Sequence, residues 1–179
     1  MLTRSQVRAG QEYTAGVLAR AGVVLTEAER AGIEVSDFGL GDLEKTGLQL
    51  VVYVNTERVC AKEMVLRPGQ TCPEHRHLGA DEELGKEETF RVRAGEVWLY
   101  VDGPATPDPL AVAPRPEYYT AWRQIVLRPG DQHTILPGTK HWFQAGPDGA
   151  IVTEFSTRST DEQDVFTDPD IRRITVVEP

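Results

Sequence analysis

The stretch Gly69-Gln-Thr-Cys-Pro-Glu-His75-Arg-His77 decides how the rest of the chain is read. It opens on the glycine of Val65-Leu-Arg-Pro-Gly69 and closes on a His-x-His pair. In an extended segment, residues two apart point to the same face, so His75 and His77 project together. Two neighbouring imidazoles are a ready pair of ligands for a divalent metal. One such pair is often no more than two solvated histidines, so the weight falls on what else joins it.

Downstream, Gly85-Lys-Glu-Glu-Thr-Phe90 reads as a strand with Lys86, Glu88 and Phe90 on one face. Val65-Leu-Arg-Pro-Gly69 then recurs as Val126-Leu-Arg-Pro-Gly130, followed by Leu136-Pro-Gly138-Thr-Lys-His141. Taken singly, Glu88 reads as a solvated charge in an acidic stretch with Asp81, Glu82, Glu83 and Glu87. His141, beside Trp142 and Phe143, reads singly as a packed core histidine. Together, three of only four histidines and one carboxylate fall at turn-anchored positions. That coincidence points to a metal site of His75, His77, Glu88 and His141, with His133 a bystander.

The surroundings set the fold class. Thr3-Arg-Ser-Gln6 and Thr26-Glu-Ala-Glu29 have the form of capping boxes. They predict one helix to about Leu18, ended near Gly22, and a short one stopping around Gly32. From Leu48 the pattern changes to short β-branched and aromatic runs between Gly, Pro and Asp. Strands are expected near 48–54, 59–66, 73–78, 86–93, 96–101, 122–128, 132–136, 140–145 and 150–156. Gly103 to Pro116 holds five prolines and reads as a loop. The tail from Thr157 is polar, with an edge strand expected at Ile174 to Val177. Evenly spaced short strands and a repeated strand–turn unit suit a double-sheet jelly roll of two Greek keys. The expectation is an all-β fold with short N-terminal helices. It is a single domain over 1–179, with a helical lead at 1–45, a β-barrel at 46–157 and a C-terminal extension at 158–179.

Composition narrows the function classes. The 179 residues carry 28 Asp and Glu against 19 Lys and Arg, a net charge of −9. That balance opposes nucleic acid and anionic lipid, both of which call for a basic surface. A chain of this length buries roughly 70% of its unfolded surface and needs no metal merely to fold. Cys60 and Cys72 make no disulfide framework, and each reads as a small buried apolar residue, Cys72 on the strand face opposite His75. The N-terminus lacks the apolar core of a signal peptide, and no run approaches the ~20 apolar residues of a membrane span. A cytoplasmic protein is expected.

The ligand pattern resembles the cupin superfamily, whose fold is a double-stranded β-helix, the jelly-roll barrel. Its first motif reads here as Gly69, five residues, His75-Arg-His77, then Glu88, six residues, Gly95. Ten residues separate His77 from Glu88, longer than the family's usual gap, which implies an inserted loop around Gly79 to Gly85. Counting back from Gly95 selects Glu88 over Glu87. The second motif reads as Gly130, five residues, Leu136-Pro-Gly138, two residues, His141. Leu136 stands in a proline place and Ala145 in an asparagine place. Pro73-Glu-His-Arg-His77, Gly85-Lys-Glu-Glu-Thr-Phe90, Thr139-Lys-His-Trp-Phe-Gln-Ala145 and Phe166-Thr-Asp-Pro169 together look like the cupin-type D-lyxose isomerases. That resemblance runs from about residue 20 to residue 170.

The resemblance implies interconversion of D-lyxose with D-xylulose and of D-mannose with D-fructose. It also implies one divalent ion per chain, Mn²⁺ first, with Co²⁺, Ni²⁺, Fe²⁺ or Zn²⁺ as alternatives. Such an ion would hold O1 and O2 of the open-chain sugar. Proton transfer between neighbouring carbons then needs a carboxylate in reach. Glu154 is the candidate, because an acid in Ala150-Ile-Val-Thr-Glu154-Phe needs a partner or a ligand. Lys86 is a second catalytic candidate, as a donor to developing charge. Lys62 and Gln144 are candidates for sugar hydroxyls, whereas Tyr118, Tyr119 and Trp122 read as packing. The expected partner is a free pentose or hexose, and the expected assembly a homodimer through the outer sheet. Two other readings stay open at this point: an Fe²⁺ dioxygenase and a sugar-sensing protein without catalysis. A phosphosugar isomerase would need a basic rim, yet the parity of Arg76, Arg91, Arg93 and Lys140 mostly points them outward.

Overall fold

The computed structural model describes residues 1–79 and 84–178. The inserted loop expected around Gly79 to Gly85, with Asp81, Glu82 and Glu83, lies largely outside them. The helical lead comprises α1 (Arg4–Arg20) and α2 (Glu27–Ala31), preceded by the short strand β1 (Leu2–Thr3). Thr3 with Gln6, and Thr26 with Glu29, form both capping boxes. Each hydroxyl takes a backbone N–H that the helix leaves unpaired, while the Gln or Glu returns to the cap residue. No helix is long and apolar enough to cross a membrane among these residues.

The body is built from β2 (Glu34–Ser36), β3 (Leu48–Asn55), β4 (Cys60–Leu66), β5 (Thr71–Arg76), β6 (Glu88–Val101), β7 (Arg123–Leu127), β8 (Gln132–Ile135), β9 (His141–Ser156) and β10 (Val165–Phe166). β11 (Val177–Glu178) pairs in parallel with β1. The four strands expected at 86–93, 96–101, 140–145 and 150–156 are two continuous bent ones, β6 and β9. These run antiparallel along their whole length, with register shifts at Val92/Ala94 and Gly95/Val97. On one side of the bend, 88–95 and 150–156 join β8, β4, β3 and β2. On the other, 97–101 and 141–145 join β7, β5 and β10. The result is a double-sheet jelly roll, and we call these halves the first and second sheets.

The bend depends on Gly95. Its φ is 73°, and a Cβ there would sit 1.9 Å from the carbonyl oxygen of Gly149. Only glycine allows that approach at low cost. The repeated Leu-Arg-Pro-Gly turns do equivalent work at two places, one passing the chain from β4 to β5 and the other from β7 to β8. Each thus crosses between the sheets, as expected of pseudo-related Greek keys.

Three apolar layers follow from strand alternation. Between the sheets, Leu50, Met64, Phe90, Val92, Leu99 and Phe143 form the central core. Outside the first sheet, Leu18 and Ala15 of α1 pack on Val35, Val51, Val65 and Ile151. Outside the second, the Pro-rich loop covers Tyr100 and Trp142 with Ala111, Ala113, Tyr119 and Ala121. Tyr118 and Trp122 pack against that third layer, the role expected of them.

β5 corrects one expectation about side-chain direction. A register shift between Cys72 and His75 adds one residue to β5 against β9. Both side chains therefore face the interior, although simple alternation puts Cys72 opposite His75. Cys72 is still a free, buried thiol.

Candidate metal centre

His75 and His77 leave the end of β5, while His141 starts β9 directly opposite His75. The Pro-Gly turn ahead of His141 is fixed to the same place, because the Gly138 N–H donates to the carbonyl of His77 at 3.0 Å. The ligating nitrogens of the three rings lie within 4.8 Å of one another, and all three residues are buried. Glu88, at the start of β6, points its Oε1 to within 3.3 Å of His77 Nε2 and 3.0 Å of His141 Nε2. Glu87 is exposed, so strand parity selects Glu88 as expected. His133 sits on edge strand β8, away from this cluster.

Each imidazole has its Nδ1 engaged. His75 Nδ1 lies 2.8 Å from Pro73 O, His141 Nδ1 2.9 Å from Thr139 O, and His77 Nδ1 2.5 Å from Asp164 Oδ1. Such partners fix ring orientation and leave Nε2 for a metal. Among the described residues, His141 Nε2 is buried without an aligned hydrogen bond, despite its closeness to Glu88. A buried polar atom left so is costly unless something else coordinates it. The donor set therefore fits one divalent ion held by His75, His77, His141 and Glu88.

Electrostatics differ between these side chains. Burial, reinforced by the neighbouring His141 and His77, holds the His75 imidazole well below its ordinary value, in the neutral form a metal requires. Burial pushes His77 the same way, but Glu88 and Asp164 outweigh it and raise His77 to about 9. Glu88 is held well below the usual carboxylate range: burial opposes ionisation, and Lys86 and His77 overcome it.

His75, His77 and Glu88 line a pocket walled on its apolar side by Phe38, Leu50, Met64, Phe143 and Phe166. Its polar lining adds Lys86, Glu154, Asp161, Asp164 and Arg173. Glu154 faces inward on β9 and is 3% exposed. Its Oε1 accepts from Lys86 Nζ at 3.2 Å and from Ser156 Oγ at 2.9 Å. The Lys86 ammonium also contacts Glu88 Oε2 at 2.8 Å and Asp161 Oδ1 at 3.1 Å.

Two expected sugar contacts are not brought to the pocket. Gln144 lies on the outer face of the second sheet, where its amide bonds Thr71 Oγ1 and both backbone groups of Val112. His141 and Gln144 are three apart on one strand, so alternation sends them to opposite faces. Lys62 points inward but stops behind Glu154, bonded to Ser159 Oγ at 2.8 Å and Asp161 Oδ2 at 2.5 Å. Arg76 and Arg91 are exposed, Arg93 binds Glu63, and Lys140 binds Thr120. They form no basic rim at the pocket.

Sequence reading missed the contribution of the tail. Asp161, Asp164, Phe166 and Arg173 all come from the polar extension and close one side of the pocket. Asp161, Glu162 and Asp164 cluster in Thr160-Asp-Glu-Gln-Asp164, but nothing in that pattern says which way they fold. Glu74, immediately before the first motif histidine, was also missed. Its buried carboxylate accepts from the backbone N–H of Thr120 and Ala121 and from the hydroxyls of Thr120 and Thr167. It thereby ties the Pro-rich loop and the tail to β5.

Known proteins match this arrangement at two levels. The backbone superposes on L-ribose isomerase of Cellulomonas parahominis, solved with L-psicose, with a TM-score of 0.82 over 99% of this chain and 98% of that one, at 17% identity. The L-ribose isomerase of an Acinetobacter species, solved with L-ribose, gives 0.83 over the same shares at 17% identity. At those identities the likeness establishes the fold. In sequence, the chain is 57% identical to the D-lyxose/D-mannose isomerase of Thermosediminibacter oceani, across 99% of both chains. It is 55% identical to the D-lyxose ketol-isomerase of Cohnella laeviribosi, over 96% of this chain and 95% of that one. The family model described as D-lyxose isomerase matches residues 21–179. With that match on a cupin fold, the chain belongs to the D-lyxose isomerase family, and it is a sugar aldose–ketose isomerase.

Proposed function

We propose that the chain interconverts D-lyxose with D-xylulose, and D-mannose with D-fructose, with one divalent ion held by His75, His77, His141 and Glu88. One observation carries this reading: the imidazoles of His75, His77 and His141 converge beside Glu88, and His75, His77 and Glu88 line a pocket that also presents Glu154 and Lys86. When bound, the ion supplies Lewis acidity to the sugar's carbonyl and adjacent hydroxyl oxygens. Mn²⁺ is the ion we expect, since a nitrogen and carboxylate set with open positions suits it and availability settles the choice.

The remaining chemistry belongs to side chains. Glu154 is the carboxylate that takes the proton from one carbon and returns it to its neighbour. Ser156 Oγ and Lys86 Nζ both donate to its Oε1 and so fix its orientation. Lys86, held among three carboxylates, stays protonated: burial disfavours its charge, but Glu88, Glu154 and Asp161 outweigh that and raise it well above its ordinary value. It is thus a donor toward charge developing on a sugar oxygen. Phe38, Leu50 and Phe166 keep water from the reacting carbons.

The test is addition of Mn²⁺ to metal-stripped protein with D-lyxose or D-mannose. Ketose formation should return at one ion per chain. No ketose from either sugar with Mn²⁺, Co²⁺, Ni²⁺, Fe²⁺ or Zn²⁺ would overturn the proposal.

A further inference from the structure

Behind the pocket wall, four charged side chains alternate in sign around a closed ring. Lys86 Nζ lies 3.2 Å from Glu154 Oε1 and 3.1 Å from Asp161 Oδ1. Lys62 Nζ lies 3.6 Å from the same Glu154 oxygen and 2.5 Å from Asp161 Oδ2. Lys86 and Glu154 reach the pocket, whereas Lys62 does not. Asp161 touches its edge, but both its oxygens are occupied. Oδ1 takes Ser159 Oγ and Lys86, and Oδ2 takes Lys62 and Arg173.

Chain topology explains how the ring closes. Lys62 on β4 is the cross-strand neighbour of Glu154 on β9. Ser159 and Asp161 arrive from the tail, and Asn55 clamps Ser159 there through paired bonds to its backbone N–H and carbonyl. Ser159 Oγ accepts from Lys62 and donates to Asp161, bridging the hidden half of the ring. Buried ions of this kind contribute little to stability, because desolvation cancels most of their attraction. What they do supply is a fixed geometry for whichever members face the reaction.

We propose that Lys62 and Asp161 are positioning residues, which hold the Glu154 carboxylate and the Lys86 ammonium in the geometry that proton transfer requires. This rests on Glu154 being the proton-transferring group. Lys62 acts as the hidden counterpart of Lys86: it restrains Glu154 from behind and never meets the sugar. Asp161 has no free oxygen to accept a proton and acts by holding both ammonium groups.

The experiment uses metal-loaded protein and compares Lys62→Met, Asp161→Asn and the milder Ser159→Ala with the wild type. Rates are expressed per bound ion, with KM measured in parallel. For the first two variants, kcat should fall by about ten- to a hundredfold, the scale of a small misplacement of reacting groups. KM should stay within about twofold, since no sugar contact is removed. Ser159→Ala removes only the bridging hydroxyl and should lower kcat by about threefold or more. It keeps the test decisive if either charge change prevents folding. Unchanged kcat per bound ion in Ser159→Ala and in the charge variants that fold would overturn the proposal, as would a loss confined to KM or metal content. Glu154→Gln, run alongside, separates the two levels. Wild-type turnover in that variant removes the reading of the base itself. A dead Glu154→Gln with fully active ring variants removes only the positioning role.

Discussion

The two sheets of the jelly roll supply different chemistry and hold it in different ways. The second sheet contributes three histidines, and for His75 and His141 the orienting partner is a backbone carbonyl two residues earlier in the chain, Pro73 O and Thr139 O. The first sheet contributes Glu88, Glu154 and Lys62, whose charges are balanced by Lys86 and by Asp161 from the tail. Neutral ligands can be fixed locally, because a turn already supplies the acceptor. Buried ions cannot, since each needs an opposite charge that neighbouring strand residues rarely provide. Metal affinity should therefore depend mainly on one sheet and turnover on the other.

The widest separation is expected between His141→Gln and Glu154→Gln. Losing His141 removes a proposed ligand whose Nε2 has no aligned partner among the described residues. Bound metal and turnover should disappear together, read by metal analysis and ketose assay on one sample. Glu154→Gln should keep its ion and lose about 10²–10⁴-fold in kcat, the usual contribution of a general base. Equal metal loss in both variants would break the division of labour between the sheets.

That division also explains what could be read without coordinates. The histidines were legible because their spacing is local: i and i+2 on a strand, a Pro-Gly turn, and a repeat that marks both sheet crossings. Glu154 was legible because a carboxylate inside a β-branched run calls for a partner. Asp161, Asp164 and Arg173 were not, since a polar tail carries no periodicity to show which residues turn inward. Gln144 lies only three residues from His141, close enough in sequence to suggest a shared site, yet strand alternation puts the two on opposite faces. Cys72 departs from simple alternation for the opposite reason: a bulge that no sequence pattern announces lies between it and His75. The bends of β6 and β9 were likewise hidden, since Gly95 and Gly149 read as turns that end strands when in fact they bend them.

His77 joins the two systems, being a proposed ligand of the second sheet oriented by a carboxylate of the tail. Asp164→Asn should lower metal affinity by about 10–100-fold, the range for losing such an orienting partner. It should leave turnover of the fully loaded enzyme much closer to wild type, as a competition assay with a chelator would show. Loss of turnover at full metal loading would place Asp164 with the charged sheet instead.

The same residue sets a pH dependence. In the metal-free protein His77 titrates at about 9, above its ordinary 6.5, so it carries a proton at neutral pH. Binding an ion must expel that proton, so affinity should rise with pH and level off above about 9. Calorimetry at pH 7 in buffers of different ionisation heat should show about one proton released per ion. Because the folded value is raised, the proton stabilises the metal-free fold fully below about 6.5, and that contribution is lost as pH rises through about 9. No proton release at pH 7 would mean that His77 is already neutral.

The smallest effect on function is expected one residue from His141. Trp142 follows His141 on β9 and points out of the second sheet, where it stacks on Tyr100 at 4.1 Å between ring centroids. Its indole N–H donates to Ala121 O at 2.6 Å, which holds the Pro-rich loop against the sheet. Trp142→Phe strands that carbonyl and leaves a small cavity, together costing about 2–3 kcal/mol of stability. Yet the second sheet itself lies between that outer layer and the pocket, so metal content and kcat below the melting transition should stay within about twofold of wild type. A lowered melting temperature with unchanged turnover would show that the interior face of the strand sets the ligand geometry. A parallel loss of bound metal would show instead that the Pro-rich loop, through Trp142 and Glu74, also governs where β5 and β9 present their histidines.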